Sequence, residues 1–99
     1  MSQTVMQMRW AGVTPEQYEE ARSLINWEGD VPDGAVFHVA GFDGDTLCVT
    51  DVWESPEQFQ RFTEERLMPG VQEIGIEGEP EVGFYPVQAI FNPRVPATA

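Results

Sequence analysis

The phrase Thr14-Pro15-Glu16-Gln17-Tyr18 returns 41 residues later as Ser55-Pro56-Glu57-Gln58-Phe59, each copy shortly after a strand-like run that ends in tryptophan. Each copy is a complete helix start. A hydroxyl residue stands at the N-cap, proline occupies the first helical position where no donor is lost, and glutamine sits at N3 to close a capping box. An aromatic side chain follows where the first turn would meet a core. The preceding runs, Val5 to Trp10 and Leu47 to Trp53, are rich in β-branched, aromatic and long apolar residues and so read as strands. Two related strand-helix halves are the expected architecture.

With 99 residues the chain makes one domain, expected over 1–92, with a Pro/Ala/Thr-rich tail over 93–99. A lone chain of this size buries only about 60–65 % of its unfolded surface, so a partner chain would add to a modest core. The net charge of −12 repels phosphate backbones and anionic lipid alike, which argues against nucleic acid and membrane surfaces as partners. All five cations are arginine, which excludes Schiff-base chemistry on a lysine. Cys48 is the only cysteine, the N-terminal segment lacks the basic-then-apolar pattern of an export signal, and no apolar run approaches bilayer length. A cytoplasmic protein is expected.

From Thr4 to Trp10, Met6, Met8 and Trp10 alternate with Val5, Gln7 and Arg9, giving a strand with one apolar side. The first helix places Tyr18, Ala21 and Ile25 on one stripe with Leu24 beside them, and should stop near Glu28-Gly29-Asp30. Val31-Pro32-Asp33-Gly34 is turn chemistry, and Ala35 to Phe42 reads as a second strand. Asp43-Gly44 signals a hairpin, with Thr46 to Trp53 returning. A two-residue loop there, or a four-residue loop through Thr46, puts Val36, His38 and Ala40 on one face with Leu47, Val49, Asp51 and Trp53. A three-residue loop would break that alignment.

The second helix carries Phe59, Phe62 and Leu67 inward and pairs Glu57 with Arg61 outside. Met68-Pro69-Gly70 is expected to interrupt it, with a short helix ending at Gly75. Glu81 to Phe91 reads as the last strand, and Pro86 argues for an edge or a bulge. The order βαββαβ with right-handed crossovers gives an α+β, ferredoxin-like fold: a four-stranded antiparallel sheet with both helices on one face. The opposite face would hold Val5, Val39, Cys48, Val52, Tyr85, Val87 and Phe91, too apolar for water, so a homodimer closed sheet to sheet is inferred. Arg9, on that face, is expected to meet a partner's carboxylate, and Cys48 to be an inert filler.

These residues resemble the dimeric α/β-barrel superfamily, and within it small proteins similar to antibiotic-biosynthesis monooxygenase (ABM) domains. The resemblance runs through Val5-Met6-Gln7-Met8-Arg9-Trp10, Phe37-His38-Val39-Ala40-Gly41-Phe42 and Val49-Thr50-Asp51-Val52-Trp53-Glu54-Ser55. It continues through Phe59, Glu65-Arg66-Leu67-Met68-Pro69 and Phe84-Tyr85-Pro86-Val87. It implies a dimeric α/β barrel and, among the superfamily's varied activities, cofactor-free oxidation of quinol-like aromatics, haem degradation, isomerisation or a stress role. The haem-degrading branch carries a haem-ligating histidine on the second helix and an asparagine on the first strand. Here Phe62 and Thr63 occupy that helical turn and no asparagine precedes Asn26, which excludes it.

His38 is the only histidine, and an even hairpin loop puts it across from or diagonal to Asp51. A carboxylate there would orient the imidazole as a base for a phenol or activated carbon. The pair also reads as two polar groups that satisfy each other beneath the helices. Trp10, Tyr18, Trp53 and Phe59 would wall a flat aromatic pocket as ligand-binding residues, or simply fill the core. One histidine and one cysteine supply no metal site, and no phosphate-binding loop or nucleophile elbow is present, so no cofactor is expected. Two functions stand: a cofactor-independent monooxygenase-like enzyme acting on an aromatic or polyketide-like molecule, and a non-catalytic homodimer that binds a small ligand or serves a stress role.

Overall fold

The computed structural model describes residues 3–94. Four strands, β1 (Thr4–Ala11), β2 (Ala35–Asp43), β3 (Thr46–Trp53) and β4 (Glu81–Pro86), form one antiparallel sheet in the order β2-β3-β1-β4. Helix α1 (Pro15–Ile25) follows β1; α2 (Pro56–Phe62), a π-helical turn (Thr63–Leu67) and α3 (Met68–Ile74) follow β3. The inward side chains of β1 and β3, among them Met6, Met8, Trp10, Val49 and Trp53, share one core with Ala21 and Ile25 of α1, Phe59 and Phe62 of α2, and Val71 of α3. All helices therefore cover a single face. This is the ferredoxin-like α+β arrangement that the element order dictates.

The repeated phrase does what its chemistry requires. Thr14 Oγ1 accepts from Gln17 N at 3.1 Å while Gln17 Oε1 accepts from Thr14 N at 3.0 Å, closing the first capping box. The second box is only half built: Ser55 Oγ accepts from Gln58 N at 3.3 Å, but the Gln58 side chain turns to Ser55 Oγ and to Asp33 Oδ2. That second arm ties α2 to the segment entering β2. Arg61, expected to pair with Glu57, reaches the same Asp33, 3.9 Å away.

Several boundaries differ from expectation, each for a local reason. Asn26 takes the left-handed conformation at φ 58° and ends α1 three turn residues early, with its N–H returned to Arg22 O. Leu24, placed beside the inward stripe, is exposed. The hairpin loop is Gly44-Asp45, one residue later than Asp43-Gly44, because Gly44 supplies the positive φ of 59° and Asp43 stays paired with Thr46. The loop length is still even, so the expected parity holds. A bulge at Val36 pairs Ala35, not Val36, with Trp53.

Pro69 stands in the first turn of a short helix that ends at Gly75, as expected, but the chain stays helical on the way into it rather than breaking off. A proline lacks the N–H for an i→i−4 bond and crowds the carbonyl one turn back, and the chain absorbs this just upstream by widening into the π turn, where Met68 N bonds Thr63 O. Arg66, on that turn, donates from Nη2 to Ile25 O and Asp30 O, both at 2.8 Å, capping α1 and holding the loop that leads to β2. β4 lies at the sheet edge, as Pro86 required, and stops there rather than at Phe91.

The outer sheet face exposes Phe37, Val39 and Tyr85, while Val52 is buried between its strand neighbours Val5 and Phe37. On that face Arg9 meets its own chain's Asp43 Oδ2 at 3.2 Å and Cys48 Sγ at 3.2 Å, so the cysteine does have a cation beside it. The tail expected over 93–99 lies, from residue 95, outside the described residues.

At Gly70 the two helical layers touch. A Cβ there would stand 2.6 Å from Ile25 Cγ1 and 2.9 Å from Ile25 Cδ1, so the Ile25 side chain or the helices themselves would have to shift. Gly70→Val is expected to cost about 1–3 kcal/mol by overpacking, read as a lower urea midpoint. An unchanged midpoint would mean that the helices separate freely.

Candidate functional site

His38 and Asp51 are direct partners across β2 and β3. Residues paired in an antiparallel ladder project to the same face, and the parity set by Gly44 makes this the face beneath the helices. His38 Nδ1 lies 2.7 Å from Asp51 Oδ1. Trp53, two residues after Asp51 on the same face, donates from Nε1 to Asp51 Oδ2 at 3.0 Å. On the other side of the imidazole, Tyr18 Oη lies 2.7 Å from Nε2. The Tyr18 and His38 rings are parallel to within 3° with centroids 6.2 Å apart, a separation that an in-line hydrogen bond through Oη and Nε2 nearly fills. They meet edge to edge rather than face to face. A chain Tyr18–His38–Asp51–Trp53 results.

The direction of the chain follows from donor inventory. A carboxylate only accepts, so the imidazole proton belongs on Nδ1; Nε2 then presents its lone pair and Tyr18 donates to it. Burial pushes the Tyr18 hydroxyl above its ordinary value near 10, with Arg22 pulling the other way and Glu19, Glu28 and Asp51 adding to the rise. The phenol therefore keeps its proton at neutral pH, as donation requires. The Asp51 side chain is 8 % exposed and His38 31 %, so the carboxylate is shielded and the imidazole half-open.

The chain stands on the wall of a cavity of about 230 Å³ between sheet and helices. Met6, Met8, Val49, Phe62, Leu67 and Val71 supply much of its apolar lining. Every residue that the sequence nominated, His38, Asp51, Trp10, Tyr18, Trp53 and Phe59, reaches this one cavity. The tryptophans and Phe59 are core residues at the same time: Trp53 packs on Phe59 at 5.4 Å and on Phe62 at 5.5 Å, and Trp10 donates Nε1 to Glu77 O at 2.9 Å. The sequence reading did not nominate Trp27. Its ring lies 5.3 Å from His38 and 5.9 Å from Tyr18, lining the cavity together with Val31 and Pro32. The signal available was an apolar aromatic directly after a left-handed Asn26, which turns the chain back over the helix end.

Near Tyr18, Arg22 holds Glu28 through two hydrogen bonds and Glu19 through one, keeping the Glu28 carboxyl below the usual carboxylate range, chiefly by the hydrogen bond from Arg22. That guanidinium is thus committed outside the cavity. Among the described residues no three His, Cys, Asp or Glu side chains form a metal-ligand group.

Fold and site together define a small ferredoxin-like α+β protein with an apolar cavity under its helices and a hydrogen-bonded polar chain along one wall. No family model matches the chain, and no curated protein resembles it in sequence. Solved structures do share its fold. NE2512, a protein of unknown function from Nitrosomonas europaea, superposes with a TM-score of 0.71 at 14% identity, covering 94% of this chain and 96% of that one. SnoaB, a cofactor-independent oxygenase from Streptomyces nogalater, gives 0.67 at 16% identity over 91% and 97% of the two chains. The monooxygenase from the gene ActVA-Orf6 of Streptomyces coelicolor, in complex with the ligand nanaomycin D, gives 0.60 at 16% identity over 93% of each. The resemblance to ABM-type monooxygenases read from the sequence is thus a resemblance of fold, and at these identities of fold alone.

Proposed function

We propose that the protein is a cofactor-independent, monooxygenase-like enzyme that acts on an aromatic or polyketide-like small molecule in the cytoplasm. The observation that carries this reading is the 230 Å³ apolar cavity with the His38–Asp51 pair on its wall. Its fold, shared with a cofactor-independent oxygenase and a nanaomycin D-binding monooxygenase, supports it by analogy. In this reading His38 is the base, Asp51 orients it, Trp10 and Trp53 are the ring-stacking walls, and Tyr18 and Phe59 complete the ligand site.

The chemistry needs no resident cofactor because a suitable ring system reacts with oxygen once ionised. An anthrone is the simplest example. The base removes a proton from the doubly benzylic carbon, and the carbanion passes an electron to dioxygen. Recombination forms a carbon–oxygen bond and a peroxide, and loss of the second hydrogen with O–O cleavage gives anthraquinone and one water. The protein's contribution is the base that takes the proton and an apolar cavity to hold the ring system.

His38→Ala is expected to lower anthrone turnover by at least about 10²-fold while leaving the far-ultraviolet circular dichroism unchanged. Undiminished turnover would remove the base assignment. The alternative, a non-catalytic dimer that binds a small ligand, draws support from the completeness of the chain: both imidazole nitrogens and both Asp51 oxygens already have partners. Absence of anthrone oxidation by the wild type, with retained binding, would favour it.

The partner proposed for the exposed Phe37, Val39 and Tyr85 face is a second copy of the chain, closing the two sheets into a barrel. Light scattering at micromolar concentration is expected to give the mass of a dimer. A monomer there would remove this part of the proposal.

A further inference from the structure

Three features of the cavity wall bear on what it can accept. First, Trp27 apart, each polar side chain within it is already engaged. Trp10 Nε1 is used by Glu77 O, Trp53 Nε1 by Asp51, both Asp51 oxygens by His38 and Trp53, and His38 Nε2 by Tyr18. Donating to Nε2 leaves the Tyr18 oxygen with lone pairs to offer, so it is the end of the chain and a free acceptor. Second, no arginine side chain lines the cavity. The nearest guanidinium to Tyr18, Arg22, is held by Glu19 and Glu28, and those carboxylates join Asp51 in the field at Tyr18. Third, a cavity of about 230 Å³ lies below the ~300–1,000 Å³ of most small-molecule sites, which limits a ligand to a few fused rings.

We propose that Tyr18 is the group a ligand hydroxyl meets, its oxygen accepting that hydroxyl, and that the cavity selects neutral hydroxyaromatics of two to three rings over their carboxylated counterparts. This rests on the ligand pocket invoked for the function above and assigns its contact residue. A ligand O–H donates to Tyr18 Oη while Tyr18 donates to His38 Nε2. On ionisation the ligand O–H bond breaks and an Oη–H bond forms, while the original Oη–H bond breaks and an Nε2–H bond forms. The products are a ligand oxyanion, a neutral Tyr18 and an imidazolium facing Asp51. A ligand carboxylate would find no guanidinium on the cavity wall to pair with and would face the Asp51 carboxylate, leaving its charge desolvated. Discrimination therefore operates at entry, before any chemistry.

The test is equilibrium binding, followed by quenching of tryptophan fluorescence, with naphthol, naphthalene and naphthoate as probes on the wild type and on Tyr18→Phe. A single neutral hydrogen bond predicts that the wild type binds naphthol about 3- to 10-fold more tightly than naphthalene. Naphthoate should bind more than about tenfold more weakly than naphthol. Tyr18→Phe should erase the naphthol preference over naphthalene while still binding naphthalene, with a melting temperature close to the wild type.

A naphthol preference that survives Tyr18→Phe, naphthoate binding as tight as naphthol binding, or no saturable naphthol binding at all would each overturn the proposal. The catalytic reading fails independently. Tyr18-dependent naphthol binding without anthrone oxidation would leave this inference standing alone, and anthrone oxidation with a Tyr18-independent probe profile would do the reverse.

Discussion

Trp53→Ala is expected to remove about 3–5 kcal/mol of folding stability, the largest loss of any single substitution considered for this chain. Trp53 is 3 % exposed, and its ring touches the helix layer through Phe59 and Phe62, so truncation leaves a void directly under α2. It also takes the Nε1 donor from Asp51 Oδ2. Urea unfolding measures the sum, and Trp53→Phe narrows it, because phenylalanine keeps an aromatic ring in the core while losing the donor and part of the indole volume. The phenylalanine variant should lose about 1–3 kcal/mol. A loss below about 1 kcal/mol for the alanine variant would mean that helix and sheet close over the void, and that this residue does not hold the layers together.

The second large effect is expected at Asp51. Asp51→Ala orphans His38 Nδ1–H and Trp53 Nε1–H in a site where the carboxylate is almost inaccessible, at a cost of about 2–4 kcal/mol. Asp51→Asn is the sharper experiment because it preserves shape. The amide has one oxygen for two donors: if that oxygen serves Trp53, the NH₂ faces Nδ1 and drives the imidazole proton to Nε2. Nε2 would then donate to Tyr18 instead of accepting from it, reversing the chain and removing the base. Imidazole nitrogen chemical shifts should report the change of tautomer, and turnover of an anthrone should fall by about 10²–10³-fold with the fold intact. Wild-type turnover in Asp51→Asn, with the tautomer demonstrably switched, would show that the imidazole takes no part in the reaction.

Much of the site was legible because its two central residues are placed by parity. Once the hairpin loop is even, His38 and Asp51 must share a face, and whether the loop is centred on Asp43-Gly44 or Gly44-Asp45 changes the partner by one pair but not the side. The helix starts were equally readable, since Thr14 and Ser55 cap through atoms three residues away and no distant contact decides them. Trp27 and the role of Tyr18 were not readable in the same way. Tyr18 lies on the inward stripe of α1 by periodicity, but whether its hydroxyl reaches a core gap, the solvent or an imidazole depends on how far α1 sits along the sheet. Gly70 against Ile25 and the Arg66 bonds to the end of α1 set that distance, and both come from the far half of the chain.

Pro69 shows the limit from another side. Read locally, a proline after a helical run ends it; in the folded chain the inward packing of Phe59, Phe62 and Val71 along one continuous element outweighs the lost bond, and one wide turn accommodates the ring. The sequence by itself determined the element order, the antiparallel ladder and the face on which His38 and Asp51 emerge, because capping, turn conformation and the two-residue strand period act over a few bonds. Only the tertiary structure decided that Tyr18 closes on Nε2, that Trp27 lines the cavity and that a cavity persists between the layers. Those depend on the spacing of helices above the sheet, which is a sum of long-range packing contacts that no local pattern encodes.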